Sequence, residues 1–222
     1  MLYHGSENII EIPEFGKGKE NNDYGRGFYC TENCDMAMEW AVDKDRDGYA
    51  NCYDFAEGGL DILNLNGSEY NVLNWIAILL DNREFLIDSP IAKEAKRFLL
   101  ENCLPKYEHR DVIRGFRADD SYFSFARDFI NNTISVEQLS KAMRLGNLGE
   151  QIVIKSREAF SRIHFIEAIN SDNSVWYPRK EQRDRKARSQ YNKMNVTEFR
   201  KGETYILKLL EGEVELSELC IR

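Results

Sequence analysis

The hydrophobic period of this chain changes along its length, and that change restricts the folds open to it. Between residues 70 and 107 apolar residues recur three and four apart, which predicts two amphipathic helices ended by Pro90 and Pro105. The segments 28–31 and 149–155 on either side are short, glycine-entered and typical of strands. Strands on both sides of a helical block argue against regular strand–helix alternation. The expected fold class is therefore α+β.

Local signals predict further elements. Residues 48–70 alternate like a hairpin, with Gly58-Gly59 as its turn. A strand is expected in DVIRGFRA, and a helix follows it from the acidic pair at 119–120. Ser135 and Gln138 form a capping-box pattern that starts another helix. After the strand in EQIVI we expect a short helical turn and one more strand.

The length of 222 residues suits one domain with a sizeable insertion. The chain begins without a basic region and apolar run, and no segment approaches the roughly 20 apolar residues of a membrane helix. Five cysteines at unmatched spacings argue against a disulfide framework. Cys30 and Cys34 lack a second ligand pair at zinc spacing, so no metal is expected. These features predict a cytoplasmic protein without a membrane segment.

The charge is distributed unevenly. Residues 179–201 hold nine Lys or Arg against three acids, a local charge of +6 in a chain of net charge −8. Such a stretch is most often a solvated helix face. It also suits contact with phosphate groups or an acidic partner.

Three short segments carry residues suited to chemistry. They read YHGS at 3–6, GRGFYCTENCDMAMEWA at 25–41 and LGEQIVIKS at 148–156. In the second segment Tyr29 is followed 11 residues later by Trp40. Rings on a strand and on the next helix commonly meet in the core, which is the simplest explanation of this pair.

Taken in order, the segments resemble the signature segments of the ADP-ribosyltransferase superfamily. The branch concerned has a His-Tyr-Glu pattern and contains diphtheria toxin and the poly(ADP-ribose) polymerases. The chain also looks like a group of largely uncharacterised bacterial proteins of this superfamily, some thought to act in toxin or phage-defence cassettes. The matching residues are His4, Gly5 and Ser6 for H-G-S, Gly25, Gly27, Phe28 and Tyr29 for G-x-G-[IV]-Y, Glu150 for the glutamate of E-Y-I-V-Y, and Trp40 for the family's second ring.

The resemblance implies a split β-sheet core in residues 1–170, with a helical insertion at about 70–105. Residues 171–222 would be a basic segment and C-terminal extension packed on the same domain. The implied reaction is mono-ADP-ribosylation, in which NAD+ is a substrate and the nicotinamide–ribose bond is cleaved. Glu150 would be the catalytic carboxylate, because the reaction passes through an oxocarbenium-like transition state that a nearby negative charge stabilises.

The resemblance also assigns the residues that would bind NAD+. Tyr29 and Trp40 would flank the nicotinamide ring. Gly5 would offer its backbone to the carboxamide, where the absence of a side chain permits close approach. His4 and Ser6 would hydrogen-bond the ribose on the adenosine side.

Two departures from the family pattern limit what is carried over. Ala37 stands where the polymerases have a serine, so one hydrogen bond to the carboxamide is missing. Leu148 stands where arginine-modifying relatives have Gln or Glu, which disfavours an arginine acceptor. Arg117 and Asp120, at a strand-to-helix junction, are expected to line the substrate side.

Several functions stay open at this stage. The acceptor of ADP-ribose is an unknown macromolecule, either protein or nucleic acid, and a toxin would require a neutralising antitoxin. With water as acceptor the protein would be an NAD+ glycohydrolase. A third alternative is a catalytically inactive module that binds a nucleotide or a partner protein, because fold alone does not fix function.

Overall fold

The computed structural model describes residues 1–84, 87–117, 120–145, 149–194 and 198–219. The described residues form an α+β protein, as the sequence predicts. The strands are β1 (Leu2–Ser6), β2 (Phe28–Cys30), β3 (Gly48–Phe55), β4 (Ile62–Asn64), β5 (Val112–Phe116), β6 (Glu150–Ile154) and β7 (Ile163–Ser171). The helices are α1 (Cys34–Ala41), α2 (Val72–Asn82), α3 (Pro90–Asn102), α4 (Asp120–Ile130), α5 (Val136–Ala142), α6 (Arg157–Phe160), α7 (Asn173–Lys193) and α8 (Ile206–Leu210).

The strands form two small sheets. One has the order β1-β3-β7 and is antiparallel throughout. The other has the order β2-β6-β5-β4, in which only β4 and β5 run parallel. Tyr3 and Thr31 exchange backbone hydrogen bonds of 2.8 and 2.9 Å, which join β1 to the end of β2. This junction brings the first two sequence motifs side by side.

Several local predictions are confirmed. Ser135 and Gln138 form the expected capping box of α5. The helical block holds α2 and α3, although Pro90 begins α3 instead of ending the helix before it. A proline fits the first position of a helix because its missing N–H would have no intrahelical partner there.

The predicted hairpin around Gly58-Gly59 is wrong. Strand β3 pairs with β1 and β7 on its two sides, so neither edge is left for β4. The chain crosses instead to the second sheet, where β4 pairs in parallel with β5. The alternation of apolar residues indicated the strands correctly, but their partners lie far away in sequence.

The largest core lies between the second sheet and the helices. Residues of α2, α4 and α5 are buried there around Trp75, whose indole donates to the carbonyl of Phe116 at 3.0 Å. Helix α7 packs on α1, where Arg183 and Glu39 form a bond of 2.7 Å between two largely buried side chains. No helix in the described ranges is long and apolar enough to cross a membrane.

Candidate functional site

A cavity of about 650 Å³ lies beside β2, near the junction of the two sheets. Its walls come from β1, β2, β6 and the loop between β1 and β2. Small-molecule and cofactor sites typically have volumes of roughly 300–1,000 Å³. The polar and aromatic side chains on its wall include those of His4, Tyr29, Arg117 and Gln151.

His4 has a defined protonation state at the cavity wall. Its Nδ1 lies 2.7 Å from the carbonyl oxygen of Tyr29, and because a carbonyl only accepts, Nδ1 must donate. Its ring stacks on Phe28 with 4.3 Å between centroids. Burial lowers the pKa of His4, although the bond to Tyr29 opposes this. The imidazole is therefore neutral at pH 7, and its Nε2 is a hydrogen-bond acceptor.

Tyr29 presents its ring to the cavity, while its hydroxyl is already occupied. The hydroxyl donates to the carbonyl of Gly25 at 2.5 Å and accepts from the amide of Tyr24 at 3.1 Å. Gly25 has φ +73°, a conformation that favours glycine. Burial raises the pKa of Tyr29. The ring is thus held in place as a flat neutral surface.

Strand β6 places two neighbouring polar residues on opposite faces of its sheet. Val153 pairs directly with Tyr29, so those two share a face, and Gln151 is on the same face two residues away. Gln151 is 7 % exposed, lines the cavity, and its Oε1 has no hydrogen-bond partner among the described residues. A buried polar atom without a partner costs about 1–3 kcal/mol. A ligand with a hydrogen-bond donor would remove that cost.

Glu150 points to the other face and takes part in a charge cluster. Its carboxylate accepts from Asn66 and lies 3.5 Å from the guanidinium of Arg114. Arg114 also pairs with Glu32 at 3.1 Å and with Glu57. The side chain of Arg114 is 15 % exposed, so three carboxylates share one mostly buried cation.

Arg117 connects the cavity to the surroundings of Glu150. It lines the cavity, and it also lines a neighbouring depression of about 410 Å³ that contains Glu150. Its guanidinium lies over the ring of Trp40, 4.2 Å from the ring centroid. The indole Nε1 of Trp40 is buried and has no hydrogen-bond partner in the described part of the chain. Arg117 therefore covers one face of the second predicted ring.

Gly5 and Ser6 do not line this cavity. A Cβ on Gly5 would come within 2.2 Å of the carbonyl oxygen of Ala37, so this glycine permits close packing of β1 on α1. The hydroxyl of Ser6 accepts from the amide of Asn8 at 3.1 Å. Asp120 is the first residue of α4, and its side chain, like Leu148, lies outside the described residues.

The structure thus brings together His4, Tyr29 and Arg117 in one cavity, with Trp40 beneath Arg117. Glu150 does not line this cavity: it lies on the face of the sheet opposite Tyr29, in the neighbouring depression that Arg117 also lines. The sequence reasoning missed Gln151, although the alternation of side chains along EQIVI puts it on the face opposite Glu150. It also missed the two bonds of 2.9 and 2.8 Å from Arg83 to Asp23 at the cavity wall, a pair 60 residues apart that no local pattern indicates.

The class defined by these observations is an α+β protein with a polar, aromatic-lined cavity where two small sheets meet. The chain belongs to DUF3990, a family described as proteins of unknown function, whose model matches residues 1–165. Comparison with curated proteins and with solved structures finds no match. Within the described residues, no group of three or more His, Cys, Asp or Glu side chains is placed to hold a metal ion.

Proposed function

We propose that the protein is a mono-ADP-ribosyltransferase with an ADP-ribosyltransferase-like split-sheet core, and that the cavity binds NAD+. One observation carries the proposal: His4, Tyr29 and Gln151 line a single cavity, although they come from three segments spread over nearly 150 residues. These are the segments that resemble the superfamily's signature. Because residues of all three segments line the same cavity, the arrangement supports a binding site for NAD+, the substrate of that superfamily.

The cavity chemistry suits the parts of NAD+. The neutral His4 can accept a hydrogen bond from a ribose hydroxyl through Nε2. The Oε1 of Gln151 can accept from the carboxamide NH2 or from a hydroxyl group. The ring of Tyr29 offers a flat surface for nicotinamide, and aromatic contacts of this kind contribute about 0.5–1.5 kcal/mol beyond burial.

The contact between Arg117 and Trp40 supports the same ligand. A guanidinium on an indole is a planar cation stacked on an electron-rich ring. The pyridinium of NAD+ is also a planar cation. We propose that nicotinamide takes the place of Arg117 on Trp40, which would also join the cavity to the depression that holds Glu150.

The proposed reaction needs only NAD+ and an acceptor. The C1′–N bond breaks, and nicotinamide leaves with the electron pair as a neutral molecule. A nucleophile of the acceptor forms a bond to C1′ and loses its proton to solvent or a base. Glu150 would stabilise the positive charge on the ribose ring during bond breaking, an electrostatic contribution whose loss commonly costs about 10²–10³ in rate.

Nicotinamide release from NAD+ tests this assignment, with Glu150→Gln as the main variant. Glu57→Gln is the matched control, because Glu57 also pairs with Arg114 but lies outside both depressions. We expect a loss of about 10²–10³-fold for Glu150→Gln and little change for the control. Equal rates for Glu150→Gln and wild type would reject Glu150 as the catalytic carboxylate. Transfer of labelled ADP-ribose to a macromolecule distinguishes a transferase from a glycohydrolase.

A binding module without catalysis is the second function that a specific observation favours. Glu150 lies on the opposite face of β6 from Tyr29 and is tied into the Arg114 cluster. If Glu150 stays paired with Arg114 when NAD+ is bound, no carboxylate reaches the ribose, and NAD+ binds without being cleaved. Calorimetric binding of NAD+ together with no nicotinamide release would establish this alternative.

A toxin role is proposed on the resemblance alone. Expression of the intact chain without a neutralising partner should then arrest bacterial growth, and Glu150→Ala should relieve the arrest. Normal growth with confirmed accumulation of the folded wild-type protein would count against it.

A further inference from the structure

One long face of helix α7 packs on the protein, and from residue 179 onward the exposed side is polar. Arg183 bonds to Glu39, and the hydroxyl of Tyr191 donates to Asp128, both at 2.7 Å. These contacts fix the helix at two points along its length of about 30 Å. The residues of the packed face follow a spacing of three and four: Trp176, Lys180, Arg183, Ala187 and Tyr191.

The outward side carries a row of cations. Arg179, Lys186 and Lys193 are seven residues apart, and at that spacing side chains drift by only about 20° around the helix. Arg185 adds a fourth exposed cation, about 100° around the helix from Lys186. All four are exposed, and none forms an ion pair with any residue in the described ranges. We name these four residues the α7 cationic row.

The charge of the rest of the chain makes this row distinctive. Helix α7 has seven Lys or Arg against two acids, whereas the whole chain has net charge −8. The remainder is therefore strongly acidic. Solvation alone does not require the positive charge to be concentrated on one helix. A polyanion would be attracted to α7 and repelled by the acidic remainder of the chain.

The composition of the exposed side of α7 indicates which class of partner it can bind. Protein interfaces and membrane-bound helices need buried apolar or aromatic anchors. Between residues 179 and 193 the only apolar side chains are Ala187 and Tyr191, and both are buried against the protein. Earlier in α7, Val175 is exposed, and the half-buried ring of Trp176 has the guanidinium of Arg179 4.6 Å from its centroid. Single-stranded nucleic acids are usually bound by stacking on exposed aromatic rings, and residues 179–193 present none. Phosphate contacts along a duplex require only Lys and Arg.

We propose that the α7 cationic row binds the phosphate backbone of duplex DNA without sequence preference. Neighbouring cations of the row are about 10 Å apart along the helix axis, so several phosphates can be contacted at once. The major groove of B-DNA admits an α-helix, whereas that of duplex RNA is deep and narrow. Helix α7 follows residues 1–165, the part matched by the family model. The site therefore lies in the C-terminal part of this chain.

Fluorescence anisotropy with a short labelled DNA duplex of mixed sequence tests the inference, using the full chain at about 50 to 200 mM salt. The test variant is Arg179→Gln/Lys186→Gln/Lys193→Gln. The matched control is Lys93→Gln/Lys106→Gln/Lys141→Gln, which removes the same charge from exposed lysines elsewhere. Wild type and control should bind with steep salt dependence. The slope of log K against log salt should be smaller for the test variant by about 0.9 for each phosphate that its side chains no longer neutralise.

Three results would overturn the inference. They are an equal reduction of affinity in both triple variants, no duplex binding by wild type at low salt, and tighter binding to single-stranded RNA or duplex RNA than to duplex DNA. Circular dichroism of each variant confirms that it is folded. The measurement contains no NAD+, so its outcome is independent of the proposed transferase activity.

Discussion

The guanidinium of Arg117 lies 4.2 Å from the ring centroid of Trp40 and covers the ring that the sequence assigns to nicotinamide. A flat ligand that stacks on this face of Trp40 must first displace the cation. A cation–π contact is worth about 0.5–1 kcal/mol at exposed sites and about 2 when desolvated. The free protein therefore holds its second aromatic surface closed at a moderate cost to ligand affinity.

Replacing Arg117 with alanine should strengthen the binding of free nicotinamide. The ligand then no longer has to break the Arg117–Trp40 contact. Removing that cost of about 1 kcal/mol corresponds to roughly a fivefold lower dissociation constant for nicotinamide. Isothermal titration calorimetry measures the change. Arg117→Lys is the control, because it keeps a cation able to cover Trp40, and it should resemble wild type more closely. Weaker nicotinamide binding by Arg117→Ala would mean that Arg117 contacts the ligand directly.

The half-buried His4 should make stability depend on pH. Burial lowers its pKa in the folded protein, so as the pH falls the unfolded chain takes up the proton first. The stability that neutral His4 provides is complete above about pH 6.5, the ordinary pKa of histidine, and is lost as the pH falls toward the lower folded-state value. Urea unfolding at a series of pH values between about 5 and 7.5 covers this window.

His4→Gln should flatten that part of the pH profile. His164→Gln is the comparison variant, because His164 is exposed and does not line the cavity. If both variants follow wild type between these pH values, the titration of His4 does not govern stability. Loss of NAD+ affinity in His4→Gln at pH 7 would separately support its proposed contact with ribose.

Gly5 should be required for packing. A side chain there would place Cβ 2.2 Å from the carbonyl oxygen of Ala37. Forcing β1 and α1 apart costs about 1–3 kcal/mol, so Gly5→Ala should lower the free energy of unfolding by that amount. Gly58→Ala is the control, because a Cβ at Gly58 meets open space. Equal stabilities in urea unfolding would show that β1 and α1 tolerate the added methyl group.

Features with a local cause could be predicted from the sequence. The capping box of Ser135 and Gln138 involves atoms three residues apart, so the sequence contains everything needed to recognise it. The hairpin at Gly58-Gly59 failed for the opposite reason. Strand β4 pairs with β5, about 50 residues away, and nothing in the turn itself records that partner.

The candidate site divides in the same way. His4 and Tyr29 were predicted from motifs, and their hydrogen bond follows from the junction of β1 with β2. The cluster around Arg114 could not be predicted, because Glu32, Glu57 and Glu150 reach it from three distant segments. Charged side chains on loops and strand ends carry no periodic signal that would indicate such a meeting.

Gln151 should affect stability and binding in opposite directions. Its Oε1 is buried without a partner among the described residues, so Gln151→Leu removes an unsatisfied polar group while keeping a similar volume. We expect the free energy of unfolding to rise by about 1 kcal/mol. The affinity for NAD+ should fall about tenfold, because the leucine cannot accept the ligand's hydrogen bond.

Gln138 supplies the contrast for this prediction. It is also a buried glutamine, and its Nε2 has no partner among the described residues, but its Oε1 accepts from the amide of Ser135 at 3.0 Å. Gln138→Leu removes an unpaired Nε2 but also leaves the buried amide of Ser135 without its acceptor, so we expect no gain in stability and unchanged NAD+ binding. Thermal unfolding and calorimetry of both variants measure the two quantities. A Gln151→Leu protein that is less stable than wild type and binds NAD+ equally well would show that Gln151 serves packing alone, since only a ligand contact couples a gain in stability to a loss of affinity.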